Sequence, residues 1–242
     1  MPHIAASSAR VIRHLFAPVY APFADQLGLP RRLNPPEPAT VPVNPQSLAP
    51  GHAVALTFDD GPHPQGTPAM LEVLARHGAS ATFFVIGEQV VQRPQLLQRM
   101  LAEGHAVALH GYHHRLHLRC RPAELEDDFT RGIAAIEDAI GQRPLFHRPP
   151  FGIYSPASLR IARERGLQPL LWAAWGKDWR KFTTPRRITA RIMRKLTPGD
   201  VILLHDADFY SAKGSHERTA VALELLLAEL KSDGFGTFLR GS

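Results

Sequence analysis

The 242-residue sequence contains one cysteine, Cys120, so no intramolecular disulfide can form, and neither a disulfide-stapled scaffold nor a cysteine-built zinc finger is available. Any metal has to sit on histidine, aspartate or glutamate. Long apolar runs are absent as well: the best candidates, residues 170–175 and 201–204, fall far short of the roughly 18 residues that a membrane span requires. Acidic side chains are outnumbered, 22 against 28 lysines and arginines, which leaves a formal charge of +6 and makes an anionic partner worth weighing. The densest basic cluster, Arg186, Arg187, Arg191, Arg194 and Lys195, interleaves with Ile188, Ile192 and Leu196, as in an amphipathic helix with a solvated basic face. It contains no aromatic residue on which a base could stack, so nucleic acid is not an expected partner.

Arg10 and Arg13 precede a weakly apolar stretch, 15–24, in the order of an export signal, but Pro18 and Pro22 interrupt it. The N-terminus alone therefore predicts a cytoplasmic or peripheral protein, with residues 10–29 either touching a membrane surface or packing on the domain that follows. Seven prolines between positions 30 and 50 block helix and central strand and favour an extended linker or surface strap. These features divide the chain into an N-terminal segment, 1–50, and a folded domain, 51–242.

Past residue 50, short apolar runs alternate with longer segments of helical period, the pattern of an α/β domain with a parallel sheet. The predicted strands are 53–58, 81–86, 106–109, 145–148, 168–172, 201–204 and 236–239. The predicted helices are 68–76, 94–102, 122–140, 155–164, 185–195 and 217–230. Several open with proline in the first turn, and Gly78, Gly104, Gly141 and Gly166 supply stops. Periodicity does not separate an open doubly wound sheet from a barrel, but both place function at the C-terminal ends of the strands.

Four predicted strands run directly into polar clusters: Asp59-Asp60-Gly61-Pro62, His110 through His114, Arg148-Pro149-Pro150-Phe151-Gly152, and His205-Asp206. Adjacent carboxylates repel unless a cation neutralises them, so the Asp59–Asp60 pair suggests one metal ligand beside one carboxylate able to act as a base. His110 and His114, four apart, can reach one ion from a tight loop. A carboxylate and two imidazoles make an open site for Zn²⁺ or another divalent ion, leaving room for water and substrate. Hydrolysis of an amide or ester also needs a base and an acid, and Asp59 and His205 are the natural pair.

In order and spacing, 57–62, 104–114, 148–152, Asp178-Trp179 and 203–206 resemble the five motifs of the polysaccharide deacetylases, the carbohydrate esterase group with a nodulation-type chitooligosaccharide deacetylase domain. The resemblance spans about 51–239. It implies that Asp59 is the catalytic base, His205 the acid, and Asp60, His110 and His114 the ligands of one divalent ion, zinc first. It further implies that Arg148 orients Asp59, the backbone N–H of Phe151 contributes to the oxyanion hole, and Asp178 tunes His205. Trp179 and Leu203 would wall the pocket for the acetyl methyl. The implied fold is a distorted, incomplete TIM-like (β/α) barrel. The implied activity is removal of N-acetyl groups from N-acetylglucosamine-containing glycans of chitooligosaccharide or peptidoglycan type, carried out by a monomer.

Two positions depart from the family pattern. Gly111 stands where Ser or Thr usually follows the first histidine, which predicts a looser metal-site loop. Trp175 stands where an acidic residue often precedes Asp-Trp, which bears on substrate identity more than on chemistry. An O-acetyl esterase or small-amide hydrolase would use the same machinery, and a non-catalytic glycan-binding module would use only the tryptophans and basic surface. A glycan substrate favours work outside the cytoplasm, against the reading of the N-terminus.

Overall fold

The computed structural model describes residues 27–35 and 51–239. The interrupted apolar stretch, 15–24, and most of the proline-rich segment lie outside them, as does all but the end of the proposed membrane-contacting segment, 10–29. Among the described residues no helix is long and apolar enough to cross a membrane.

The first strand, β1 (Ala53–Asp59), shows how the sequence builds the sheet. Its residues past Ala53 are buried, and alternate side chains face opposite sides. Val54, Leu56 and Phe58 join the larger apolar core with Met70, Leu71 and Leu74. Ala55 joins a second, inner core of Phe84, Ala108, Phe146, Leu170 and Val201. A sheet apolar on both faces needs helices outside and a filled interior, the layering of a barrel.

The remaining strands are β2 (Thr82–Val85), β3 (Ala106–Leu109), β4 (Phe146–His147), β5 (Gln168–Pro169), β6 (Ala174–Trp175), β7 (Val201–His205) and β8 (Gly236–Thr237). The helices are α1 (Gly66–His77), α2 (Gly87–Gln92), α3 (Pro94–Ala102), α4 (Pro122–Ile140), α5 (Pro156–Glu164), α6 (Pro185–Met193) and α7 (Ser215–Ser232). Proline opens α3 through α6, and left-handed glycines end α1 and α4 at Gly78 and Gly141. The strand order is β5-β4-β3-β2-β1-β7-β6, with β8 on β1, and each pairing is parallel. The sheet curls into an incomplete TIM-like barrel, as the resemblance implies.

The structure splits the strand expected over 168–172. β5 pairs with β4, while β6, two residues not anticipated as a strand, pairs with β7 on the other side of the opening. Residues 170–173 cross between the two edges, Leu170 N donating to His147 O of β4 and Ala173 N to Val201 O of β7. Two of their carbonyls are met by a side chain: Arg148 Nε donates to Leu170 O at 2.9 Å and Nη2 to Leu171 O at 3.1 Å. The described part of the N-terminal segment closes the same gap: Leu171 N donates to Pro30 O, Val201 N to Arg31 O, and Leu33 N to Gly199 O. Leu29 and Leu33 are buried beneath this strap. The short α2 also escaped sequence reading, since six residues are too few to show a period.

Candidate active site

Register brings the polar clusters together. Asp59 and His205 are partners across the β1–β7 ladder. Leu109 pairs with His147, so His110 and Arg148 follow side by side on β3 and β4. Asp178 and Trp179 lie just beyond β6, and Leu203 sits opposite Thr57 in β7. All these chain positions cluster at one rim because parallel strands end on the same side.

Asp60 is fully buried, and neither of its carboxylate oxygens has a hydrogen-bond partner among the described residues. Its Oδ1 lies 3.4 Å from His110 Nε2 and 3.2 Å from His114 Nε2. His110 Nδ1 stands 2.8 Å from the Arg148 carbonyl oxygen, which can only accept, so this nitrogen carries the proton and Nε2 presents its lone pair to the site. Zinc at 2.0–2.1 Å from N and O ligands gives a tetrahedral edge of about 3.3 Å, close to the separations found. The donor set therefore fits a divalent ion. Burial alone would raise the Asp60 carboxyl, but His114, His110 and His205 outweigh it and hold the group well below the carboxylate range. Asp60 adopts φ 83°, a left-handed conformation rare outside glycine and of the kind that clusters at functional sites.

Beside the metal cluster, Arg148 is fully buried and its Nη1 donates to Asp59 Oδ1 at 2.6 Å and to Thr57 Oγ1 at 3.0 Å. Asp59 Oδ2 is left facing His110, 3.8 Å from its Nε2. Opposite, His205 Nδ1 lies 3.0 Å from Asp178 Oδ1, and Asp178 Oδ2 accepts from the His205 backbone N–H and from Thr219 Oγ1. That contact fixes the His205 tautomer and ring orientation. Next to Asp60, burial pushes the Asp206 carboxyl up to about 7, against a hydrogen bond from Thr67 Oγ1. Gly61 is required there, because a Cβ would come within 2.2 Å of Asp206 Oδ2.

Asp59, His110, Phe151, Trp175, Trp179, Leu203 and His205 surround a slot of about 20 Å³, room for one small group. Trp172, packed against both apolar cores, lines it as well, seated against Gly152 where a Cβ would meet its ring at 2.4 Å. Trp172, Trp175 and Trp179 form a ladder with ring centroids 5.7 and 5.0 Å apart, and Trp179 meets the His205 ring edge-on at 5.3 Å. Phe151 has φ 64° and its ring contacts His114 at 4.7 Å.

Two contributors had no sequence signal. Asp128, inside α4, accepts the backbone N–H groups of Tyr112 and His113 and so clamps the loop between His110 and His114. Gly111 has φ 105°, and a Cβ there would lie 3.0 Å from Asp128 Oδ2. The loop expected to be loosened by Gly111 is thus held by a carboxylate 17 residues away. Tyr210 stacks on His114 at 4.1 Å and donates its hydroxyl to Glu88. Both are legible only through long-range contacts.

Residues 47–170 match the family model described as polysaccharide deacetylase. The chain belongs to the polysaccharide deacetylase family. It is 38% identical over 190 residues to a chitooligosaccharide deacetylase of Bradyrhizobium sp. (strain ANU 289), covering 76% of this chain and 86% of that one. It is 35% identical over 184 residues to a peptidoglycan-N-acetylglucosamine deacetylase of Bacillus cereus, covering 75% of this chain and 83% of the other. A family 4 carbohydrate esterase from Streptomyces lividans, solved with acetate, superposes with a TM-score of 0.70 at 28% identity, over 78% of this chain and 93% of that one. Membership in this family accounts for the curled barrel and for a metal-dependent hydrolytic site at its rim.

Proposed function

We propose that this polysaccharide deacetylase family member hydrolyses the N-acetyl group of N-acetylglucosamine-containing glycans, releasing acetate and leaving a free amine. Asp60, His110 and His114 would hold one divalent ion, with zinc favoured by the nitrogen-rich donor set. Such an ion lowers the pKa of a water and polarises the amide carbonyl. Asp59 takes the proton of the attacking water, its other oxygen already engaged by Arg148. The Phe151 backbone N–H faces the charge developing on the carbonyl oxygen. His205, oriented by Asp178, delivers a proton to the departing nitrogen as the C–N bond breaks. Trp179 and Leu203 enclose the acetyl methyl.

The observation that carries this reading is the slot itself. The base and acid candidates are register partners and both line a space that admits little more than a methyl group. The named relatives favour chitooligosaccharide or peptidoglycan as substrate, outside the cytoplasm. The test is acetate release from N-acetylglucosamine oligomers and peptidoglycan fragments by chelated, then zinc-resupplied protein. Asp59→Asn should abolish turnover while retaining metal, and His110→Ala should lose both. An Asp59→Asn variant as active as wild type would refute the assignment. Acetylated xylan as a parallel substrate discriminates an esterase, because an alkoxide leaves with less help from His205 than an amine does.

A further inference from the structure

Beyond the slot lies a second concavity that the chemistry above leaves unused. Between the loop 176–183 and α6 runs a cleft of about 750 Å³, and Trp179 is a wall common to it and to the slot. Lys177, Arg180, Lys181, Arg187, Arg191 and Arg194 line the cleft, and among the described residues no acidic one does. The basic face is exposed, as expected, and Arg187, Arg191 and Arg194 on it also border this groove.

Several arginines elsewhere on the surface are ion-paired. Arg76, Arg99, Arg160 and Arg165 each pair with a glutamate. Among the described residues, Lys177, Lys181, Arg187, Arg191 and Arg194 have no ion-pair partner. Like charges along one concave wall repel, and the field they focus is relieved by an anion. Lys177 is held below its ordinary value by burial and then by Arg180 and Arg191. It also sits at φ 56°, a left-handed conformation uncommon outside glycine. Its ammonium lies 4.9 Å from the Trp175 ring, at the junction of cleft and slot. On the outer rim Phe182 is 84% exposed, an apolar face on which a sugar ring can stack.

We propose that the glycan cut at this site is anionic, and that carboxylate or phosphate groups on sugars adjoining the N-acetylated one lie in this cleft. The inference rests on the deacetylase reading and narrows its substrate class. The cations contribute to binding and encounter and leave the bond-breaking step to the residues around the slot.

The test compares two soluble probes of equal length with the zinc-loaded full chain. One is a hyaluronan hexasaccharide, alternating N-acetylglucosamine and glucuronate, and the other is neutral chitohexaose. UDP-N-acetylglucosamine, as a competitor, reports whether a diphosphate occupies the cleft as well as a carboxylate does. Wild type should show a KM about tenfold or more lower for the anionic hexasaccharide, an advantage that fades between about 25 and 300 mM NaCl. Arg187→Gln/Arg191→Gln/Arg194→Gln, all exposed positions, should erase that advantage with kcat retained and leave chitohexaose KM within about twofold. Equal KM values for the two probes, with no salt dependence, would overturn the inference while leaving the deacetylase reading intact. Calorimetric binding to Asp59→Asn separates the converse: no acetate from either probe, with tight, arginine-dependent binding of the anionic one, would sustain the cleft and sink the deacetylase.

Discussion

Asp128 provides a demanding check on how the metal site is built. Its carboxylate is 5% exposed and accepts two backbone N–H groups, from Tyr112 at 2.8 Å and from His113 at 3.0 Å. Asp128→Asn keeps the shape but leaves one oxygen to accept and presents an NH₂ group to the other N–H. One hydrogen bond to a charged acceptor is lost, about 1.5–3 kcal/mol, and a donor faces a donor. His114 follows directly on His113, so the loop that relaxes is the one that brings His114 to Asp60. At about 1.4 kcal/mol per factor of ten, zinc affinity should fall roughly ten- to hundredfold. The assay is competition against a chromophoric zinc chelator, with circular dichroism melting of the metal-free variant run alongside. Zinc affinity within about twofold of wild type would refute the claim that Asp128 organises the site. A metal-free melt that drops steeply, with affinity restored below the transition, would mean that Asp128 serves global stability instead.

Other consequences follow from the same geometry. A slot of about 20 Å³ should reject a longer acyl group, so N-propionylglucosamine oligomers should be cut at least about tenfold more slowly than acetylated ones, with Leu203→Ala narrowing the gap. His117, with its pKa pushed down by burial to about 3, is neutral in the fold but takes a proton when unfolded below about pH 6.5. Because the unfolded state then binds more protons, stability is present above that pH and lost as pH falls toward the folded value. Urea titrations of metal-free His117→Phe should show a slope between pH 6 and 5 reduced by about 1.4 kcal/mol per pH unit per group removed. Leu29, 1% exposed beneath the strap, ties the N-terminal segment into the core, so Leu29→Ala should lower unfolding free energy by about 2–5 kcal/mol. A change under about 0.5 kcal/mol would mean that the strap is dispensable.

The chemistry-bearing residues were legible because they follow strands. A parallel sheet delivers whatever comes after each apolar run to one rim, so Asp59, His110, Arg148 and His205 could be grouped before their distances were known. Periodicity likewise placed the helices 94–102 and 122–140, whose observed bounds agree with those expected. It failed where elements are too short to repeat, at α2 and β6, and at residues 170–173, where the Leu170 and Leu171 carbonyls accept from a buried guanidinium.

The sequence by itself determined the chemistry: which side chains can ligate, take a proton or deliver one, and that they share an edge. Only the tertiary structure decided how they are held. Asp128 reaches its loop from 15 residues away and Asp178 reaches His205 across 27. The basic residues of 177–194 border one groove. Such contacts depend on the packing of helices against the curled sheet, and a linear pattern carries no record of which distant residues that packing brings within a hydrogen bond.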